Sequence, residues 1–177
     1  MIDDENDKIT IVTGFFDCGR GEYKNQERSN DKYFNYFDFW ARIQNDVVIF
    51  GSDEVTKRAL DIRRKYGREK QTRIVVINNP IDCAPEIYDY MRKVENTKEF
   101  KNFRIRPDDI SNSALYDYIM FLKFWMLKYV ADNYDHVGNM AWLDFGYNHG
   151  GDCFIEAKNL IIYGSIHFHR IRCTCFH

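Results

Sequence analysis

The amino-acid sequence predicts an open α/β fold with a mostly parallel sheet and helices on both faces. Three observations carry that expectation. Short apolar, β-branched runs alternate with longer amphipathic segments. Several of the runs close on Gly, Asn or Asp, residues that turn a strand end into a loop. The order β-α-β-α-β-α-α-β calls for helical crossovers, which join parallel strands. A chain of 177 residues suits one domain, taken as 1–177, with a polar leader over 1–8 and an atypical tail over 152–177.

Taken in order, Ile9 to Phe16 is β-branched and aromatic, and reads as a buried first strand. Asp17 to Asn30 is polar, carries Gly19 and Gly21, and is long enough to be a functional loop. Asp31 to Ile43 places Tyr33, Phe34, Phe37, Trp40 and Ala41 at helical spacing, with Asn30 or Asp31 as the cap. Val47 to Phe50 is a second strand ending in Gly51-Ser52. Asp53 to Tyr66 is a charged amphipathic helix with Val55, Ala59, Leu60 and Ile62 as its apolar positions, ended by Gly67.

Arg73 to Ile77 is a third strand, closed by Asn78-Asn79-Pro80. Pro85 to Val94 starts another helix, and Glu95 to Asp109 is polar and reads as irregular. Ser111 to Tyr129 is the longest helix, with Leu115, Ile119, Leu122, Trp125 and Met126. Met140 to Leu143 is the fourth strand, and 159–169 is expected to form a hairpin or a bulged strand.

Composition narrows the function classes. The formal net charge is −2, which gives no global attraction to nucleic acid or anionic lipid. No apolar run approaches the roughly 18–20 residues of a membrane span, and the acidic start Met1 to Asp7 is unlike a secretory signal. A cytoplasmic protein is the expectation. Five cysteines at irregular spacing argue against a disulfide framework. Cys173-Thr174-Cys175 lacks the two-residue gap of a zinc knuckle.

In open α/β sheets ligands bind beyond the carboxyl ends of the strands. That rule gathers the loop after Phe16, the Gly51-Ser52-Asp53 turn, the Asn78-Asn79 turn and the segment from Asp144 to Gly151 on one edge. Asp144 follows Ala141-Trp142-Leu143 without a polar break and stands beside Gly146, Gly150 and Gly151. An acid so placed suits a divalent cation or a ribose hydroxyl. His149 and Asp152 lie in reach of the same loop as further metal ligands, and His149 also suits a general base.

In the first loop, Gly19 and Gly21 flank Arg20, a residue suited to gripping phosphate. Neither a P-loop ending nor a Gly-x-Gly-x-x-Gly fingerprint is present. Lys123, set among Phe121, Phe124 and Trp125, either snorkels to solvent or points at the site to neutralise phosphate. Asn112, Tyr116 and Asp117 line the pocket if the start of that helix faces the strand ends, Asn112 otherwise serving as a cap. Cys18 has no histidine nearby in the sequence, and no serine nucleophile elbow is present.

Two of these segments, Thr10 to Glu22 and Ala141 to Gly150, resemble the two hallmarks of the bacterial HtrL/YibB family, and the helix from Asn112 to Lys123 is similar to that family's lysine-bearing helix. The resemblance spans Ile9 to Gly151. It implies a GT-A-type glycosyltransferase-like protein, shortened at its C-terminal end. Such a protein would move a sugar from a nucleotide-sugar donor to a surface-polysaccharide or lipid-linked acceptor, in the cytoplasm or at the inner face of the membrane. In GT-A enzymes the strand before the site ends in Asp-x-Asp. Asp144 matches the first acid, and Gly146 stands at the second.

The implied catalytic residues are Asp144 and His149. The implied donor-binding set is Gly14, Phe15, Arg20, Gly21, Asp53, Asn112, Lys123 and Asp144. Asp144, His149 and Asp152 would hold Mn²⁺ or Mg²⁺, unless Arg20 and Lys123 do the metal's work. The alternative is a non-catalytic nucleotide-sugar-binding or scaffold protein on a degenerate GT-A fold, which Gly146 and the short stretch after Gly151 favour. A homo-oligomer that completes the site is compatible with either reading. A phosphotransferase or metal-dependent hydrolase using Asp144 and His149 is a third reading.

Overall fold

The computed structural model of the protein describes residues 9–19, 29–103, 113–135 and 138–147. Four strands and five helices follow one another as β1 (Thr10–Phe15), α1 (Asn30–Trp40), β2 (Val47–Gly51), α2 (Asp53–Lys65), β3 (Thr72–Val76), α3 (Pro85–Glu95), α4 (Lys98–Phe103), α5 (Ala114–Asn133) and β4 (Met140–Trp142). The strands form one sheet in the order β3-β2-β1-β4. Every pairing is parallel, with Ile11 beside Val47 and Ala141, and Val48 beside Arg73. The expected open α/β architecture is therefore present. The hairpin expected over 159–169 lies outside the described residues.

Burial explains the strand sequences. β2 is buried at every position and β1 at all but Gly14, because helices cover both faces. On one face Ile11, Phe15, Val47 and Ile49 meet Phe34, Phe37 and Trp40 of α1 and Ala59 of α2. On the other, Val12, Val48 and Phe50 meet Tyr118, Leu122, Met126 and Val130, a stripe four residues apart along α5. Each fully buried large apolar side chain contributes roughly 1.5–3 kcal/mol. Two glycines permit the close approach. A Cβ on Gly14 would stand 2.9 Å from Met126 Sδ, and one on Gly51 would stand 2.7 Å from Val55 Cγ1 and 3.0 Å from the Phe15 carbonyl.

The caps refine the sequence reading. Ser29, rather than Asn30 or Asp31, caps α1, its hydroxyl accepting from Lys32 N. Ser52 caps α2, accepting from Val55 N, and Ser113 caps α5, accepting from Tyr116 N. The cap role considered for Asn112 thus belongs to Ser113. Part of the stretch expected to be irregular is helical: α4 forms where the Thr97 hydroxyl accepts from Phe100 N. Pro80–Cys83 forms a 3₁₀ turn held to α5 by Tyr118, whose hydroxyl accepts from Ala84 N and donates to the Pro80 carbonyl.

At the amino-terminal edge of the sheet a charged side chain is buried. Arg63, in the last turn of α2, is fully buried. Its guanidinium donates to the carbonyls of Ala41, Ile43, Asn45 and Gln71 and to the Thr72 hydroxyl, so every contact is with a neutral acceptor. Burial, reinforced by the nearby positive charge of Arg68, lowers its pKa to about 10. It remains cationic at neutral pH and ties α2 to the chain entering β2 and β3.

Candidate functional site

The chain steps outward from β1 to β2 and β3, then returns to the far side of β1 for β4. That reversal opens a crevice at the carboxyl ends of β1 and β4, where doubly wound sheets take their ligands. A cleft of about 220 Å³ lies there. Gly14 to Cys18 form one wall and Trp142 and Asp144 to Gly146 the other. α1 contributes Asn30 and Tyr33, and α5 contributes Tyr116, Ile119, Met120 and Lys123, a stripe at helical spacing. The volume falls below the roughly 300–1,000 Å³ of a complete small-molecule site. The described residues thus enclose only part of a site of that size.

Strand periodicity aims the acid. Ala141, Leu143 and Phe145 pack toward the α1 and α2 face, while Met140 and Trp142 pack toward α5. Leu143 N donates to the Val12 carbonyl at 3.0 Å, so pairing with β1 continues past Trp142. Phe145 then locks the register. Its ring stacks on Phe37 with centroids 4.4 Å apart, and on Phe15 at 5.3 Å. Its carbonyl accepts from Trp40 Nε1 at 3.2 Å. With both neighbours held on one face, Asp144 is delivered to the other, beside α5.

Lys123 meets it there. Lys123 Nζ lies 2.6 Å from Asp144 Oδ1, and Trp142 Nε1 donates to the same oxygen at 2.7 Å. The ammonium also sits 5.7 Å from the centre of the Trp142 indole. The Lys123 side chain is 25% exposed and that of Asp144 54%, so the pair is within reach of a ligand. Close seating of α5 on Gly14 through Met126, one turn beyond Lys123, sets the reach of the lysine.

Across the cleft, Asp17 shapes the start of the first loop. Its Oδ1 accepts from Gly19 N at 2.8 Å and its Oδ2 from Asn30 Nδ2 at 2.9 Å. Gly19 has φ 78°, in the left-handed region that favours glycine. Tyr33 closes the floor against Phe15, with ring centroids 4.9 Å apart.

The structure brings Gly14, Phe15, Lys123 and Asp144 together, and Lys123 points at the site instead of snorkelling away. Asp53 lies on the same edge beyond β2 but apart from this cleft. Its backbone N donates to Asn78 Oδ1 and its carboxylate pairs with Lys57. Arg20, Gly21, Asn112, His149 and Asp152 lie outside the described residues. Among the cleft residues not singled out as site candidates from the sequence are Asp17, Asn30, Tyr33 and Trp142. For Trp142 a signal existed, because it stands two residues before Asp144 in an extended segment and so shares its face.

Gly146, at the second acidic position of Asp-x-Asp, is packed tightly. A Cβ there would stand 2.7 Å and 2.8 Å from Tyr33 ring carbons. Among the described residues no group of three His, Cys, Asp or Glu could hold a metal ion. No described helix is long and apolar enough to cross a membrane.

Comparison with known proteins gives a family and no activity. The chain is similar to Protein HtrL of Escherichia coli (strain K12), 29% identical over 156 residues, which cover 79% of this chain and 51% of that protein. The chain therefore spans about half the length of the curated relative it matches. No solved structure matches it significantly. The family model described as a bacterial protein of unknown function (HtrL_YibB) matches residues 7–164, and the chain belongs to that HtrL/YibB family.

Proposed function

We propose that the cleft between β1 and β4 binds a nucleotide-sugar donor, and that the protein transfers the sugar to a glycan or lipid-linked acceptor. The observation that carries this reading is the convergence of Lys123 and Asp144 at the switch point of a parallel sheet. Glycosyl transfer from such a donor expels a nucleoside diphosphate, and a cation must meet the charge that develops on it. Lys123 supplies that charge from a rigid helix. Asp144 accepts from a hydroxyl of the ribose or sugar, and the aromatic floor of Phe15 and Tyr33 excludes water beneath the ligand. His149 in the base role, and Arg20, Gly21 and Asn112 on the donor, belong to the same proposal. So do a cytoplasmic or inner-membrane-face setting and a homo-oligomeric state.

Release of UDP, GDP or CDP from the matching sugar donors tests the reading, with candidate glycan acceptors and with and without Mn²⁺. Turnover by the full chain and its loss in Asp144→Ala are expected. Turnover that survives Asp144→Ala undamaged would sink the assignment of the site.

A second reading is favoured by Gly146. With Tyr33 against it, no second strand-end carboxylate fits in this packing. A protein that binds nucleotide sugar without chemistry would show affinity for the donor and neither hydrolysis nor transfer. Measurable transfer would rule it out.

A further inference from the structure

We infer that this cleft takes its ligand's negative charge on Lys123, without a divalent cation as go-between. The inference rests on the nucleotide-sugar reading and specifies how that site recognises a diphosphate. A hexacoordinate cation on a diphosphate takes one or two protein carboxylates beside phosphate and water oxygens, and both carboxylates among the described cleft residues, Asp144 and Asp17, are already engaged. Asp144 Oδ1 already carries two donors, Lys123 Nζ at 2.6 Å and Trp142 Nε1 at 2.7 Å. A dication seated on that carboxylate would stand against the ammonium, and like charges so close repel strongly in a half-buried site. The other acid of the cleft, Asp17, spends both oxygens on Gly19 N and Asn30 Nδ2, contacts that hold the loop in shape. At Gly146 the Tyr33 ring occupies the space a third carboxylate would need.

Lys123 is built for the task instead. It projects from the middle of the longest described helix, and the packing of Met126 against Gly14 fixes its base. Its Nζ lies over the edge of the cleft beside the Trp142 ring, where it turns from Asp144 to an incoming phosphate by rotation of its own side chain. Asp144 and the ligand then compete for one ammonium. This competition has an unusual consequence: neutralising Asp144 should strengthen the hold on a bare diphosphate. In a metal-bridged site the same change removes a ligand to the metal and weakens the hold.

Calorimetric titration of the full chain tests the inference. UDP, GDP and CDP are titrated in EDTA and in Mn²⁺, and inorganic diphosphate, which has no hydroxyls for Asp144, in EDTA alone. A nucleoside diphosphate is expected to bind as well in EDTA as in Mn²⁺. Asp144→Asn is expected to bind inorganic diphosphate more tightly than wild type. Lys123→Gln should weaken both ligands by about tenfold or more, the scale of one charge-assisted hydrogen bond, and Lys123→Arg should restore most of the loss.

Binding that appears only with Mn²⁺ would overturn the inference and leave the nucleotide reading standing. Diphosphate binding weakened or unchanged by Asp144→Asn, or unaffected by Lys123→Gln, would also overturn it. No binding of any probe in either condition would overturn both. Should Lys123→Gln fail to fold, the wild-type comparison of EDTA with Mn²⁺ and the Asp144→Asn titration decide alone.

Discussion

Arg63 and Lys123 are both cations that a helix carries to an edge of the sheet, and the molecule uses them in opposite ways. Arg63 sits at the amino-terminal edge, fully buried, with its donors on four carbonyls and a hydroxyl. Nothing there is left to engage a ligand. Lys123 sits at the carboxyl edge, a quarter exposed, on an acid that is itself half exposed. Buried hydrogen-bonded charge fixes structure, because removing it strands its partners. A half-solvated pair adds little to stability and can be rearranged. The two edges of this sheet thus divide the labour: one holds the fold, the other is free to bind.

The comparison can be broken most severely at Arg63. Arg63→Met leaves the carbonyls of Ala41, Ile43 and Asn45 without their donor, and should cost about 3–5 kcal/mol in a urea melt. A loss below about 1 kcal/mol would show that the cluster is incidental. Next comes Gly51→Ala, whose Cβ would press on Val55 and the Phe15 carbonyl, with an expected loss of about 1–3 kcal/mol. Tyr118→Phe removes the hydroxyl shared by Ala84 N and the Pro80 carbonyl, and should cost about 1–2 kcal/mol with no change in ligand affinity. Lys123→Gln closes the series from the other side. It should move stability by no more than about 1 kcal/mol while ligand binding falls. A large loss of stability with unchanged binding would erase the distinction between the two edges.

The sheet was legible in the sequence because its central strands are unbroken apolar runs buried on both faces, and their bounds in β1 and β2 agree with the runs to within a residue or so. α5 was legible from apolar residues at helical spacing, although it continues to Asn133, past the expected end at Tyr129. α4 was missed because Lys98–Phe103 is short and presents no buried residue, so no periodic pattern marks it. Arg63 was missed because the buried stripe of α2 is Thr56, Ala59 and Arg63, two of them polar. An arginine in a charged helix reads as solvated until the carbonyls that surround it are known.

The site was legible in parts. Asp144 and Lys123 each stood out by residue type and position, but their pairing depends on how closely α5 settles on Gly14, a tertiary fact. The rule of strand ends gathered four turns on one edge. The strand order then separates them, because the crevice opens between β1 and β4 and leaves Asp53 one strand away, engaged with Lys57.

A crystal structure of the full chain soaked with a nucleoside diphosphate tests the central claim most directly. Phosphate oxygens are expected within hydrogen-bond reach of Lys123 Nζ, between the ends of β1 and β4, with the lysine turned away from Asp144. A diphosphate seated beyond β2 near Asp53, or one that leaves the Lys123–Asp144 pair intact, would contradict it.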